Sequence, residues 1–128
     1  MKIVMIADDS PVIRKVARRL FEDMDLVVME AGDGAQAISM CRDNMPDIVI
    51  VDWDMPGRSG VDVVAEIANI PAAEKTVIFY CISELNIPEM TKAKRAGAKG
   101  FLMKPFNRKI LVQKFIEAGI LETNEQAA

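Results

Sequence analysis

The sequence predicts an α/β fold in which helices cover both faces of one doubly wound, five-stranded parallel sheet. Short apolar runs recur along the chain, and they are continuous rather than alternating in polarity, which is typical of strands buried on two faces. Segments with helical spacing of apolar residues lie between these runs. Five strands therefore alternate with five helices. Right-handed crossovers between such strands produce a parallel sheet that has helices on both sides.

The strand pattern occurs in five segments, which are residues 2–7, 26–30, 47–51, 76–82 and 100–103. The first and third segments run directly into acidic residues. The second is a short run, and we expect it nearer an edge of the sheet.

Helix signals fall between the strands. Ser10 followed by Pro11 is typical of an N-cap and a first helical turn. The apolar face of this first helix is predicted to consist of Ile13, Val16, Ala17 and Leu20. The other helices are predicted over residues 34–44, 61–68, 88–96 and from 107 to about 118, the last with Ile110, Leu111, Phe115 and Ala118 on its apolar face. Residues 1–121 are then one domain, and 122–128 a short polar tail.

Composition excludes several classes of function. A chain of 128 residues fits one domain, and its net charge of −3 does not favour nucleic acid or acidic membranes as partners. We expect neither a signal peptide nor a membrane-spanning segment. Cys41 and Cys81 are isolated and are predicted to be reduced core thiols of a cytoplasmic protein. The chain has no histidine, which excludes Ser-His-Asp and Cys-His catalysis and the common zinc sites.

Charged residues follow three of the predicted strands. Asp8 and Asp9 follow the first, Asp52 and Asp54 the third, and Lys104 the fifth. The carboxyl ends of parallel strands share one edge of the sheet, where α/β proteins place their functional crevice. Clustered carboxylates repel one another unless a cation lies among them, and an all-oxygen set with room for water suits Mg²⁺. Such a carboxylate, beside Mg²⁺ and an ammonium group, can accept a phosphoryl group. The alternative is a solvated acidic rim, since Asp is common in loops.

The sequence resembles the CheY-like receiver domains of two-component response regulators over essentially its whole length. The motifs that carry the resemblance are Ala7-Asp8-Asp9-Ser10, the segment VDWDMPGRSG at 51–60, Ala96-Gly97-Ala98 and Lys104-Pro105-Phe106. The resemblance implies the flavodoxin-like strand order 2-1-3-4-5. It also implies a cis bond between Lys104 and Pro105.

The resemblance also implies the role of each charged residue. Asp52 would be the phosphoacceptor, and Lys104 would contact the phosphoryl group. Mg²⁺ would be held by the side chains of Asp9 and Asp52, by Asp8 through water, and by the backbone carbonyl of Asp54.

The sequence departs from the family at the end of the fourth strand, where receivers carry a Thr or Ser that contacts the phosphoryl group. A gapless alignment from Gly97 places Ile82 there, and the nearest hydroxyl, Ser83, comes one residue later. Either a local shift brings Ser83 into the role, which we favour because the strand ends there, or the hydroxyl is missing. Phe101 matches the aromatic switch residue of the fifth strand, or it is an ordinary core phenylalanine.

Two basic segments could serve partners. Arg14, Lys15, Arg18 and Arg19 lie on the first helix, and Lys92, Lys94, Arg95 and Lys99 lie in or near the fourth. A solvated face is the simplest interpretation of the first segment. The alternatives are docking of a kinase or phosphotransfer protein and recognition of an anionic nucleotide such as cyclic di-GMP.

The function implied is that of a stand-alone response regulator, a switch rather than a turnover enzyme. It would receive a phosphoryl group from a histidine kinase or phosphotransfer protein. It would then bind a downstream protein, in chemotaxis or in a phosphorelay, through the surface of the fourth helix, fifth strand and fifth helix. No DNA-binding domain and no membrane segment are expected. The alternatives are a phosphorylation-independent interaction module and a receiver that responds to cyclic di-GMP. A small-molecule phosphatase is disfavoured by the short chain.

Overall fold

Five parallel strands form one sheet in the order β2-β1-β3-β4-β5. This structure is a computed structural model, and it describes residues 1–121; the predicted polar tail at 122–128 lies outside the described residues. The strands are β1 (Ile3–Ala7), β2 (Val27–Ala31), β3 (Ile48–Asp52), β4 (Val77–Ile82) and β5 (Gly100–Met103). The predicted fold class and strand order are confirmed, and β2 is an edge strand, as expected.

Each of the five helices begins after a polar N-cap residue whose side chain accepts a backbone N–H of the first turn. The helices are α1 (Pro11–Asp23), α2 (Gly34–Asp43), α3 (Gly60–Ala68), α4 (Ile87–Ala96) and α5 (Arg108–Glu117). A short 3₁₀ helix at Pro71–Lys75 was not predicted, because a single turn has no apolar periodicity to reveal it. Within residues 1–121, none of the helices combines the length and the hydropathy of a membrane-spanning segment.

Successive strand residues point to opposite faces of the sheet and create two apolar layers. Val49 and Val51 face α2, α3 and α4, whereas Ile48 and Ile50 face α1 and α5. The two cysteines belong to different layers, Cys41 to the first and Cys81 to the second. Both are buried free thiols, as predicted, and burial raises the pKa of Cys41 to about 11 and that of Cys81 to about 12.

The prediction that Val16 and Ile110 lie on buried helix faces is wrong. Val16 of α1 is 52% exposed and Ile110 of α5 is 37% exposed. The buried stripes are instead centred on Ala17 and Phe21 in α1 and on Leu111 and Phe115 in α5. Side chains four residues apart lie above one another on a helix, so each stripe is narrower than the sequence pattern indicated.

Candidate functional site

The carboxyl ends of β1, β3 and β5 bring three predicted site residues into contact. Asp8 follows β1, Asp52 is the last residue of β3, and Lys104 follows β5. The Lys104 ammonium lies 2.6 Å from Asp8 Oδ2 and 2.9 Å from Asp52 Oδ1. Lys104 therefore bridges the two carboxylates across the crevice.

The predicted acidic cluster is present. Ligand oxygens of Asp8, Asp9 and Asp52 all lie within 4.8 Å of one another; Asp8 and Asp52 are buried and Asp9 is exposed. Asp8 Oδ2 and Asp52 Oδ1 accept no well-directed hydrogen bond from residues 1–121, and Lys104 contacts both of them only as an ion pair. Three carboxylates thus lie close together, and within residues 1–121 Lys104 is the cation in contact with two of them. A hard divalent cation that takes oxygen ligands and keeps some of its water fits this donor set.

The environment shifts the pKa of both partners in the Asp52–Lys104 contact. Burial raises the pKa of Asp52 above its usual range; Lys104 opposes this effect, and the charges of Asp8 and Asp9 add to it. Burial on its own would lower the pKa of Lys104, but its contacts with Asp8 and Asp52 outweigh burial and raise it. Lys104 is therefore a firmly charged ammonium beside a carboxylate that is costly to ionise.

Asp8 is held by a set of contacts that sequence reasoning missed. Its Oδ1 accepts the backbone N–H of Ser10 at 2.9 Å, and its own N–H donates to the carbonyl of Ala31 at 3.0 Å. Arg14 Nη1 donates to the backbone carbonyl of Asp8 at 2.7 Å. An arginine in the helix that follows an acidic pair is the sequence signal that could have suggested this contact.

Glu30 of β2 pairs with two of the four basic residues on α1. Arg14 Nε lies 3.1 Å and Arg18 Nε 2.7 Å from its two carboxylate oxygens. The hydrogen bond from Arg18 is the main reason that the pKa of Glu30 is lowered. Within residues 1–121, Lys15 and Arg19 are the two members of this basic segment without an ion pair. Because Arg14 and Arg18 are already paired with Glu30, fewer cations of the segment are free to bind a nucleotide.

The three candidate residues for the switch lie at the end of β4 and in β5. Ile82 is buried in the layer that faces α4, and Phe101 is half-buried against the same layer. Ser83 is exposed at the end of β4, where its Oγ accepts the indole N–H of Trp53 at 3.4 Å. The gapless position thus holds an apolar side chain, and the neighbouring hydroxyl contacts the residue that follows Asp52.

Two more expectations concern the loops around the pocket. The Lys104–Pro105 bond is cis, as the resemblance implies. Asp54 is exposed two residues after Asp52. Its side chain is not among the clustered carboxylates of Asp8, Asp9 and Asp52. The resemblance assigns metal binding to the backbone carbonyl of Asp54, and that assignment stays a prediction.

A buried tyrosine connects the sheet with α4 and was not predicted. Tyr80 of β4 is fully buried, and its hydroxyl donates to Glu89 Oε1 at 2.8 Å. A Cβ on Gly60 would lie 2.7 Å from the Tyr80 ring and 2.9 Å from the Trp53 backbone. Only glycine allows α3 to begin this close to both the tyrosine and the loop after Asp52.

Comparisons with known proteins agree with this geometry. The family model of the response regulator receiver domain matches residues 4–116. The chain is 35% identical over 107 residues to the chemotaxis protein CheY of Halobacterium salinarum, covering 84% of this chain and 88% of the relative. It is 39% identical over 105 residues to the transcriptional regulatory protein PdtaR of Mycobacterium tuberculosis, covering 81% of this chain and 50% of that protein.

Solved structures show the same fold. The chemotaxis response regulator CheY4 of Vibrio cholerae superposes with a TM-score of 0.87 at 28% identity, over 92% of this chain and 98% of that one. Together with the strand order and the acidic crevice, these matches show that the chain belongs to the response regulator receiver domain family, with a CheY-like receiver fold.

Proposed function

We propose that this chain is a cytoplasmic response regulator that accepts a phosphoryl group on Asp52 and thereby changes its affinity for a downstream protein. The observation that carries the proposal is the buried Asp52 carboxylate, in contact with Lys104 and clustered with Asp8 and Asp9. The donor would be a histidine kinase or a phosphotransfer protein, as the relationship to two-component receivers suggests.

In the proposed transfer, an ionised Asp52 oxygen attacks the phosphorus of the donor. A phosphorus–oxygen bond of an acyl phosphate, or a phosphorus–nitrogen bond of a phosphohistidine, breaks, and its electron pair leaves with the donor group. Lys104 offsets the charge that reaches the phosphoryl oxygens, because its ammonium already lies 2.9 Å from Asp52 Oδ1. Burial raises the pKa of Asp52, and the contact with Lys104 opposes this rise and so favours the ionised carboxylate that attacks.

The acidic cluster would hold Mg²⁺ through the side chains of Asp9 and Asp52, through water on Asp8, and through the backbone carbonyl of Asp54. When bound, Mg²⁺ supplies positive charge that offsets the carboxylates and the transferred phosphoryl oxygens. Attack of water on the acyl phosphate later releases inorganic phosphate and restores Asp52. The protein is thus a self-resetting switch rather than a turnover enzyme.

Two residues are proposed to report the modification. Ser83 would donate its O–H to the phosphoryl group, and its Oγ can still accept the indole N–H of Trp53, which it accepts at 3.4 Å in the structure. Phe101 would respond by a change in burial, since it has no hydroxyl with which to form a new hydrogen bond.

The downstream partner would bind the α4-β5-α5 surface. A groove of about 510 Å³ lies there, with Phe101 and the side chains of Lys94, Lys99 and Lys114 among its lining residues. A role in chemotaxis is the first candidate, because the chain spans 88% and 90% of the length of two chemotaxis relatives, whereas it spans 50% of PdtaR. A phosphorelay partner is the alternative.

A second candidate function is a phosphorylation-independent interaction module. It is favoured by Ile82, which is 2% exposed and places an apolar side chain where receivers carry the switch hydroxyl. Such a module would keep the acidic pocket but bind its partner equally well with and without the modification.

Intact-mass spectrometry after incubation with Mg²⁺ and acetyl phosphate tests the proposal. We expect the parent protein to gain one phosphoryl group and Asp52→Asn to gain none. Asp54→Asn is the matched control: it makes the same change two residues away and keeps its backbone carbonyl, so it should still be labelled. If the parent gains no mass while a known receiver is labelled beside it, the interaction module becomes the better account.

A further inference from the structure

We propose that Arg14 is a positioning residue of the acidic pocket, which orients the peptide between Asp8 and Asp9 so that both carboxylates face Asp52. The inference rests on the proposed function, since it concerns the same pocket. It is carried by the hydrogen bond of 2.7 Å from Arg14 Nη1 to the backbone carbonyl of Asp8.

The orientation of the Asp8 backbone carbonyl affects where the Asp9 carboxylate lies in this pocket. The Asp8 carboxylate is already held on both oxygens, by the Ser10 N–H at 2.9 Å and by Lys104 at 2.6 Å. Asp9 differs, because within residues 1–121 its exposed carboxylate has no hydrogen bond or ion pair. The direction of the Asp9 side chain therefore depends on the peptide plane that joins it to Asp8, and the carbonyl in that plane is the one that Arg14 binds.

Arg14 is itself held in a fixed orientation. Glu30 accepts from Arg14 Nε at 3.1 Å through one carboxylate oxygen and from Arg18 Nε at 2.7 Å through the other. The Arg14 side chain is only 20% exposed. A planar guanidinium fixed by one carboxylate leaves its remaining N–H groups pointing in a defined direction, which a flexible ammonium group would not do. Groups that orient metal ligands in this way commonly change metal affinity by about 10- to 100-fold when they are removed.

Mg²⁺ affinity measures this role directly. Trp53 is the one tryptophan of the chain and directly follows Asp52, so its fluorescence reports on the pocket. We would titrate Mg²⁺ into the parent protein, Arg14→Met and Arg14→Lys. The rise of Tm with Mg²⁺ concentration gives an independent reading of the same Kd. Arg19→Met is the matched control, because Arg19 is an exposed residue of the same helix and has no ion pair within residues 1–121.

We expect Arg14→Met to raise the Kd for Mg²⁺ about tenfold, Arg14→Lys to have an intermediate effect, and Arg19→Met to stay within about twofold of the parent. Glu30→Gln, which loosens Arg14 without removing it, should also weaken Mg²⁺ binding. It serves as the second variant if Arg14→Met does not fold. A purely structural role would lower Tm without Mg²⁺ and leave the Kd unchanged.

Two failures can be told apart. If the parent binds Mg²⁺ and is labelled by acetyl phosphate, but folded Arg14→Met and Glu30→Gln bind Mg²⁺ within about twofold of it, the positioning role is refuted and the proposed function stands. If the parent shows neither saturable Mg²⁺ binding nor labelling, the proposed function itself fails.

Discussion

Replacement of Lys104 by Met should destabilise the protein through the carboxylates that it leaves behind. Methionine keeps an unbranched apolar stem but removes the ammonium that lies 2.6 Å from Asp8 Oδ2 and 2.9 Å from Asp52 Oδ1. The two carboxylates are 1% and 5% exposed, so solvent reaches them poorly. The variant would therefore contain two buried carboxylates with no neighbouring cation.

The size of the effect follows from this burial. Removal of one partner from a fully buried ion pair costs about 3–5 kcal/mol. Lys104 is 19% exposed, so water and ions can partly replace it, and we expect about 2–3 kcal/mol. For a domain of this size the loss corresponds to a decrease in Tm of about 10 °C.

The assay is urea unfolding near pH 7.5 without Mg²⁺, with Lys109→Met as the control. Lys109 is exposed, and its replacement should change the free energy of unfolding by no more than about 0.5 kcal/mol. The deficit of Lys104→Met should shrink as the pH falls, because protonation removes the charge of the unpaired carboxylates. It should also shrink in the presence of saturating Mg²⁺.

The raised pKa of Lys104 gives the alkaline behaviour of the parent protein. The stabilisation that Lys104 contributes is fully present below its unfolded pKa of about 10.4 and is lost as the pH rises through the higher folded value.

The comparison of the two variants can refute the reasoning. If Lys104→Met and Lys109→Met have equal free energies of unfolding at pH 7.5, the Lys104 ammonium does not stabilise the buried carboxylates of Asp8 and Asp52.

Three further predictions concern neighbouring residues. Asp52→Asn should raise Tm by a few degrees without Mg²⁺ at pH 7.5. Because the pKa of Asp52 is raised in the folded protein, the stability of the parent falls as the pH rises from about 3.9 through the folded pKa, and asparagine avoids this loss. The gain should vanish in acid, and a lower Tm for Asp52→Asn at pH 7.5 would contradict the reasoning. Tyr80→Phe removes the hydrogen bond of 2.8 Å to Glu89 and should cost about 1–2 kcal/mol in urea unfolding; no change would show that water replaces it. Ser83→Ala should leave stability within about 0.5 kcal/mol but slow labelling by acetyl phosphate about tenfold; unchanged labelling would exclude Ser83 from phosphoryl contact.

The architecture and the acidic cluster were predictable from the sequence because both follow from local patterns. Continuous apolar runs identified strands buried on both faces, and a parallel sheet brings the carboxyl ends of its strands to one edge. Asp8, Asp52 and Lys104 each directly follow or end such a run, so their convergence required no knowledge of side-chain conformation. The strand order came from the resemblance to receivers, not from the pattern.

The contacts that support the site were not predictable in the same way. The hydrogen bond from Arg14 to the Asp8 carbonyl depends on where one long side chain points, and the basic pattern of α1 indicated a solvated face, a docking surface or a nucleotide site, but no contact with the acidic pocket. The Tyr80–Glu89 hydrogen bond joins β4 and α4. In the sequence, Tyr80 lies inside an apolar strand segment, and nothing there indicates that its hydroxyl has a partner. Val16 was misplaced because apolar spacing does not give the width of the buried stripe.

The most direct test of the central claim is to locate the modified residue. Borohydride reduces an acyl phosphate to an alcohol, so a phosphorylated aspartate becomes homoserine, which peptide mass spectrometry can place in the sequence. After incubation with Mg²⁺ and acetyl phosphate, we expect homoserine at position 52 and at no other aspartate. Homoserine at Asp8, Asp9 or Asp54 instead, or none in a protein whose intact mass shows a phosphoryl group, would contradict the assignment of Asp52 as the phosphoacceptor.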